Sequence, residues 1–279
     1  MADPEQKSPA VLTKRTAIIC HWFLVVLLAT AFAMEIAGAF LSITFAAQLD
    51  AALVILAAAS TLGWLWRQLP LQNVLLATIG IVVIGGGLMA FAGSPWGAEA
   101  GLPFGPFMFT SGCGLLIFNT LPWIIPLVWI VIVLNSRGTA RLMLRPWRKS
   151  KTYGYRLIGL TGLLVLLFDV ALDPFASRVK HCWLWQPTRL PVTWQGAPLV
   201  NFVAWGLIAV LILLFTAPAL VVKKPRSKRG PDYHPLGVWL GALLLFGVSC
   251  GVKGIWPPVI ADALIGIGVA IFAVRGAMW

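Results

Sequence analysis

The stretch LIGLTGLLVLLFDVALDP, residues 157–174, decides the fold of this chain. It is an apolar run close to the roughly 20 residues with which an α-helix crosses a bilayer. Asp169 and Asp173 interrupt it four residues apart, and Pro174 follows, where a helix can end or kink. Carboxyl groups are costly inside a membrane and are usually functional there. The stretch therefore predicts a transmembrane helix that carries chemistry.

The rest of the chain has the composition of an integral membrane protein. Of its 279 residues, 59% are hydrophobic and 11% are charged, and the mean hydropathy is +0.90. We predict an all-α, polytopic membrane bundle of about eight transmembrane helices. The predicted spans lie near residues 17–37, 51–66, 73–92, 115–135, 157–176, 199–222, 235–253 and 255–274. Seven spans are an alternative, because the second is short and only a Gly- and Pro-containing break separates the last two.

The basic residues predict the orientation of the bundle. With the N-terminus inside, 17 of the 21 lysines and arginines fall in cytoplasmic segments, as the positive-inside rule requires. The remaining four are Arg178, Lys180, Arg189 and Lys253. We therefore predict a multi-pass protein of the cell (inner) membrane with both termini cytoplasmic. It would consist of a polar cytoplasmic tail, residues 1–16, and a single transmembrane helical domain, residues 17–279.

Several classes of protein lack their sequence signatures here. The net charge of +12 is explained by topology, and no nucleic-acid-binding module is present, so no nucleic-acid partner is expected. The three histidines and four cysteines are dispersed, without a CxxC pair or a histidine cluster, which predicts neither a metal site nor a disulfide framework. No GxGxxG motif follows a strand, so we expect no flavin or nicotinamide.

The spacing of Asp169 and Asp173 places both side chains on one face of their helix, in its outer third. Two adjacent carboxyl groups in a poor dielectric cannot both ionise cheaply, so we expect one of them to keep its proton near neutral pH. A protonated carboxyl group of this kind can act as a general acid. Alternatively, Asp173 caps the outer end of the helix or pairs with Arg178 or Lys180.

Further candidate side chains gather at the same outer boundary. Glu99 lies in the loop between the third and fourth spans, and Glu35 and Asp262 lie in the outer halves of their helices. The following loop and the sixth span contribute Trp183, Trp185, Trp194, Asn201 and Trp205. The tryptophans are as typical of interfacial anchors as of substrate contacts, and the asparagine is also typical of hydrogen bonds between helices. The three glycines at residues 85–87 predict close helix packing rather than a phosphate cradle.

Together these motifs resemble a known membrane family. The ordered series is Glu99 with GLPFG (residues 101–105), Pro122-Trp123 to Pro126, Asp169-x-x-x-Asp173-Pro174, Trp183-x-Trp185, and Gly196-x-Pro198-x-x-Asn201-Phe202-x-x-Trp205. It is similar to the carotenoid biosynthesis proteins of the bisanhydrobacterioruberin hydratase and gamma-carotene hydroxylase type, over residues from about Glu99 to Phe215. Where that family often has tyrosines, this chain has Phe107, Phe109 and residues 193–195 (TWQ), which removes potential phenol donors.

The resemblance implies the addition of water to the terminal double bond of an acyclic carotenoid end, through a tertiary carbocation and without a redox cofactor. The catalytic candidates are then Asp169, Asp173 and Glu99. The candidate substrate-binding residues are Trp183, Trp185, Asn201, Phe202, Trp205 and Trp123. A tryptophan face can stabilise a cation by roughly 0.5–2 kcal/mol. The expected partners are the lipid bilayer, an acyclic carotenoid substrate and other carotenoid biosynthesis enzymes, with no metal and no cofactor.

Other functions remain open from the sequence. The stretch DVALD could be half of the aspartate-rich site of an intramembrane prenyltransferase, although no second such motif is present. A small membrane-type carotenoid cyclase is another alternative, although its Pro-x-Glu-Glu signature is missing. A proton-coupled lipid transporter would use the carboxyl groups as a relay, although no inverted repeat is apparent.

Overall fold

A computed structural model describes residues 9–40, 47–187, 192–221 and 230–279 of the chain. Within these residues, eight helices are long and apolar enough to cross a membrane. In chain order they are α1 (Pro9–Phe40), α2 (Ala47–Trp66), α3 (Leu71–Ala92), α4 (Ile125–Met143), α5 (Tyr153–Val179), α6 (Leu199–Thr216), α7 (His234–Val252) and α8 (Trp256–Ala277). A π-helical turn interrupts α3 at Val82–Gly86, and another ends α5 at Phe175–Val179. The predicted all-α membrane bundle is confirmed.

Some predicted boundaries differ from the structure. The fourth span, predicted at 115–135, is wrong, because α4 begins at Ile125 and ends at Met143. The first apolar residues of that prediction form a β-hairpin instead, in which Leu116–Ile117 pairs with Leu121–Pro122. Helix α1 begins at Pro9, inside the predicted polar tail of residues 1–16, and its candidate membrane span begins at Ile18, so the tail remains a prediction. Residues 1–8 lie outside the described part of the chain.

The end of α4 is helical because its polar residues find partners inside the bundle. This helix is the most buried of the eight spans and packs against α2, α5, α7 and α8. Asn135 donates to Oγ1 of Thr61 over 2.8 Å, and Arg137 donates to the carbonyl oxygen of Leu220 over 2.8 Å. Polar groups are stable within a membrane when their hydrogen bonds are made to other helices. A hydropathy profile scores Asn135 and Arg137 as polar because it contains no information about their hydrogen-bond partners. The predicted span therefore ended too early.

Helix α3 approaches α4 closely at two of the three glycines of residues 85–87. A β-carbon on Gly85 would lie 2.7 Å from Cγ of Trp129, and one on Gly86 would lie 3.3 Å from Cγ of Pro126. The packing role predicted for the three glycines is confirmed for Gly85 and Gly86 but not for Gly87, which has no neighbour within 4 Å of a β-carbon. Trp129 also stacks on Trp205 of α6, with ring centroids 4.3 Å apart and an interplanar angle of 15°. The glycine contact therefore supports a pair of stacked indoles inside the bundle.

We expect Gly85→Ala to destabilise the protein by about 1–3 kcal/mol, because the added methyl group overpacks the ring of Trp129. Gly87→Ala is the matched control, since a β-carbon at Gly87 has no neighbour within 4 Å. Thermal unfolding of the two purified variants in detergent measures the difference. Equal melting temperatures would contradict the packing of α3 on Trp129 through Gly85.

Short strands and a disulfide cover one end of the bundle, called the disulfide end below. The strands are β1 (Phe107–Phe109), β2 (Leu116–Ile117), β3 (Leu121–Pro122), β4 (Trp183–Trp185), β5 (Thr193–Trp194) and β6 (Ala197–Pro198), paired antiparallel as β1–β4, β2–β3 and β5–β6. Cys113 and Cys182 form a disulfide, so the expectation of no disulfide framework is wrong. These cysteines are 69 residues apart, and only the folded chain brings their two loops together.

Candidate active site

Asp169 and Asp173 lie one turn apart on α5, near the disulfide end, and both side chains are fully buried. Helix α5 packs against α4, α6, α7 and α8. The two carboxyl groups therefore face protein rather than lipid. Functional ionisable groups in membrane proteins usually face the interior of the bundle in this way.

The indoles of Trp183 and Trp185 hold the carboxyl group of Asp173. Nε1 of Trp183 donates to Oδ1 over 2.8 Å, and Nε1 of Trp185 donates to Oδ1 over 3.0 Å and lies 3.3 Å from Oδ2. Alternate residues of a strand point to the same face, so β4 can present both indoles, and β1 holds β4 in register. Because an indole N–H can only donate, the groups bonded to Asp173 suit an acceptor, as an ionised carboxylate is.

Asp173 does not use the basic partners that the sequence offered as an alternative. Nε of Arg178 donates to the carbonyl oxygen of Gln195 over 2.8 Å. Lys180 forms ion pairs with Glu35 and Asp50. The hydrogen bonds to the Asp173 carboxyl group come from the indoles of β4 rather than from these cations.

Asp169 has a different environment, with one carboxyl oxygen bonded and the other not. Nδ2 of Asn201, near the start of α6, donates to Oδ2 of Asp169 over 2.6 Å. Oδ1 is buried and has no hydrogen-bond partner among the described residues. A buried polar atom without a partner is costly, so its presence in a folded protein requires an explanation. A carboxyl group arranged in this way could carry a proton on Oδ1 and donate it to a bound molecule.

An aromatic pocket adjoins the partners of both carboxyl groups. It is lined by Met89, Phe104, Phe107, Trp183, Trp185, Asn201 and Trp205. Its volume is about 10 Å³, which is about the space that one water molecule requires. The indole and amide groups that contact the carboxyl groups thus also form the wall of a small chamber.

A larger apolar cavity shares two of these indoles with the aromatic pocket. Its volume is about 140 Å³, and Trp183 and Trp205 line both spaces. Phe168, which precedes Asp169 on α5, and Leu172, which precedes Asp173, also line the cavity. Its walls otherwise come from α1, α2, α4 and α7 and are almost entirely apolar. Asp169 and Asp173 themselves line neither space, and Trp183, which donates to Asp173, lies between that carboxyl group and both spaces.

The structure does not bring every candidate residue to the carboxyl pair. Glu99 is exposed in a short helix, Pro95–Ala100, and forms no ion pair within the described part of the chain. Trp123 is partly buried against Gly114 in the loop region. Phe202 is buried but lines neither space. The roles proposed for these three residues remain predictions.

Some residues at this end were not selected from the sequence. Trp129 was not, although it stacks on Trp205, because tryptophans within apolar spans are common. Asp50, which pairs with Lys180 at the edge of the cavity, was missed because it lies at the start of a helix, a common position for a solvated carboxylate. Trp194, which the sequence offered as an interfacial anchor or a substrate contact, donates from its Nε1 to the carbonyl oxygen of Val170 in α5 over 3.1 Å.

A metal centre is not formed by the described side chains, which contain no group of three or more His, Cys, Asp or Glu residues that could hold a metal ion. The donors that meet at the carboxyl pair are indole and amide N–H groups. These groups position oxygen atoms and cannot ligate a metal through their N–H.

Comparison with known proteins identifies the family of the chain. A family model described as "Carotenoid biosynthesis protein" matches residues 49–269, well over half of the chain. The chain belongs to the carotenoid biosynthesis protein family. The matched region contains both aspartates, both indoles of β4 and Asn201. The protein is thus a multi-pass membrane protein of carotenoid biosynthesis, and the family resemblance seen in its motifs is confirmed.

One relative adds a more specific likeness. This carotenoid biosynthesis protein is 29% identical over 122 residues to a bisanhydrobacterioruberin hydratase of Haloarcula japonica. The alignment covers 43% of the chain and 39% of the relative, so it spans less than half of either protein. No solved structure matches the chain.

Proposed function

We propose that this carotenoid biosynthesis protein is a hydratase that adds water to the terminal double bond of an acyclic carotenoid. The observation that carries the proposal is the unequal environment of the two carboxyl groups. Asp169 has a buried oxygen with no hydrogen-bond partner among the described residues, whereas Asp173 accepts hydrogen bonds from two indoles. One group is thus suited to give a proton and the other to remain an acceptor.

In the proposed reaction, Asp169 is the general acid. Its Oδ1 proton is transferred to the less substituted carbon of the terminal trisubstituted double bond. The π bond breaks, a C–H bond forms, and a tertiary carbocation and an Asp169 carboxylate result. A water oxygen then bonds to the cationic carbon, and one of the protons of that water returns to Asp169. The acid is restored, and the net change is the addition of one water molecule.

Three other features support this reaction. The Asp173 carboxylate adds negative charge close to the developing cation, where electrostatic stabilisation is strongest in a water-poor site. The faces of Trp183 and Trp205 add cation–π stabilisation on the order of 0.5–2 kcal/mol each. Asn201 fixes the orientation of Asp169 through Oδ2, which leaves Oδ1 for the substrate. The reaction is neither an oxidation nor a reduction, so the proposal requires no redox cofactor.

The two spaces beside the carboxyl pair match the two reactants. The apolar cavity is suited to the hydrocarbon end of the carotenoid, and the aromatic pocket has about the volume of a single water molecule. Because Trp183 and Trp205 line both spaces, the alkene and the water would be held next to the same indoles, one of which donates to Asp173. Restricting the site to one water would also limit loss of a proton from the cation to bulk solvent.

The proposed membrane orientation places the disulfide end outside and both termini in the cytoplasm. The distribution of lysines and arginines supports it. The disulfide between Cys113 and Cys182 supports it as well, since disulfides persist in oxidising compartments rather than in the cytosol. The active site would then lie at the outer boundary of the cell membrane, where a carotenoid end and water can meet.

The test is expression in a host that accumulates lycopene or another acyclic carotenoid, followed by mass spectrometry of the pigments. We expect a gain of one water per reacted end. With oxygen-labelled water the new hydroxyl group should carry the label, and growth without dioxygen should not prevent the reaction. Unchanged pigments with several acyclic substrates, in cells whose membranes contain the protein, would overturn the proposal.

A further inference from the structure

Three charged side chains from different elements meet at the disulfide end of the apolar cavity. Nζ of Lys180, just after α5, lies 3.5 Å from Oε2 of Glu35 in α1, and it also pairs with Oδ1 of Asp50 in the first turn of α2. The same ammonium group lies 5.7 Å from the centroid of the Phe175 ring. We call Glu35, Asp50 and Lys180 the charged cluster.

The charged cluster closes an otherwise hydrocarbon-like space. Asp50 and Lys180 line the cavity, and Glu35 contacts Lys180 without itself lining the cavity. The lining side chains further from the disulfide end include Phe32, Leu53 and Ala57. The wall formed by α4 runs from Ile125 to Ile132, a length of roughly 10 Å along a helix axis at about 1.5 Å per residue. The cavity therefore has a long apolar body and one polar end, which is the shape of an amphiphile with a single polar end group.

The charged cluster has hydrogen-bonding capacity that the described residues do not use. Glu35 is 5% exposed, and its Oε1 is buried without a hydrogen-bond partner among the described residues. An ammonium group has three N–H donors, and within the described part of the chain Lys180 donates to two oxygens only. A ligand hydroxyl group could donate to the carboxylate and accept from the ammonium group. A hydrocarbon end could do neither and would leave Oε1 unpaired, which is costly in a buried site.

We propose that this cavity is a binding site for the hydroxylated end of an acyclic isoprenoid, with the hydroxyl group at the charged cluster. The inference rests on the proposed hydratase function, because that reaction produces such an alcohol end from an end that has no polar group. The charged cluster thus distinguishes product from substrate: the alkene contacts only the apolar wall, and the alcohol also bonds to Glu35 and Lys180. The site would hold the product end as it leaves the carboxyl pair.

The test compares the binding of two probes to the purified full-length protein in detergent. The probes are geranylgeraniol, a C20 isoprenoid alcohol, and the hydrocarbon with the same carbon skeleton, each at the same mole ratio to detergent. A ligand that binds the native state raises its melting temperature, and at a fixed ligand concentration the rise is larger for the ligand that binds more tightly. We expect the alcohol to bind about tenfold more tightly, as one hydrogen bond to a charged group allows.

Variants of the charged cluster test whether its side chains cause the preference for the alcohol. Lys180→Met and Glu35→Leu should each reduce the alcohol-to-hydrocarbon ratio of affinities to near one, without weakening hydrocarbon binding. The control is Lys253→Met, since Lys253 is exposed in the turn between α7 and α8. Equal binding of the two probes to the wild-type protein would overturn the inference, whatever the variants do. So would a preference that survives in both cluster variants.

These outcomes are separate from those of the hydration test, because binding requires no turnover. If pigments are hydrated in cells but the two probes bind equally, the hydratase proposal stands and this inference fails. If the alcohol is preferred through the charged cluster but no pigment is hydrated, the binding site stands and the proposed reaction fails.

Discussion

Asp169→Asn is expected to abolish carotenoid hydration while leaving the protein folded in the membrane. Asparagine has nearly the same shape as aspartate, so the contact of Asn201 with this position can be kept through the side-chain oxygen. The amide cannot supply an acidic proton to an alkene, however. General acid catalysis typically contributes about 10²- to 10⁴-fold to a rate, and we expect a loss in this range. The measurement is the fraction of hydrated pigment per unit of membrane-inserted protein.

Two further variants make this experiment specific. Asp262→Asn is the matched control, because Asp262 is also a buried carboxyl group in a spanning helix but lies in α8, away from the indoles and Asn201. It should retain hydration close to that of the wild-type protein. Asp173→Asn should also lose activity, because its amide nitrogen would face indole donors. Retention of most of the activity in Asp169→Asn would show that Asp169 is not the acid, and loss in Asp262→Asn alone would move the acid to α8.

The aspartate pair shows what the sequence can reveal about this site. A spacing of four within an apolar run fixes two carboxyl groups on one helix face, and the cost of burying them marks them as candidates. The alternation of side chains along a strand likewise places Trp183 and Trp185 on one face. That these two pairs meet could not be deduced, because the contact depends on the pairing of β4 with β1 and on the π-turn that ends α5.

The errors have the same origin in long-range contacts. Hydropathy placed the fourth span about ten residues too early, because it counted the apolar hairpin of β2 and β3 and discounted Asn135 and Arg137. Those two side chains are acceptable in a buried helix only because Thr61 and the Leu220 carbonyl accept their hydrogen bonds. Likewise, Glu35 has no lysine or arginine within four residues of it in the sequence, and its partner Lys180 lies 145 residues further along the chain.

Replacing both Cys113 and Cys182 with serine is expected to lower stability and to slow hydration. Loss of a native disulfide costs on the order of 2–5 kcal/mol in small extracellular domains, mainly because the unfolded chain is no longer constrained. Cys182 directly precedes Trp183, its N–H donates to the carbonyl oxygen of Ala176 over 2.7 Å, and its carbonyl oxygen accepts from the N–H of Thr110 over 3.0 Å. The disulfide therefore anchors the strand that carries the indole donors of Asp173.

The loss of stability and the loss of hydration activity can be separated by experiment. We expect a lower melting temperature and, because misplacement of catalytic groups by about 1 Å can cost on the order of 10²-fold, a reduction in hydration of roughly 10- to 100-fold. A strong reductant should lower the melting temperature of the wild-type protein but not of the double variant. The control is Cys20→Ser, because Cys20 is a free, exposed cysteine in α1. A double variant that is less stable but fully active at low temperature would show that β1 and the π-turn position the indoles without the disulfide.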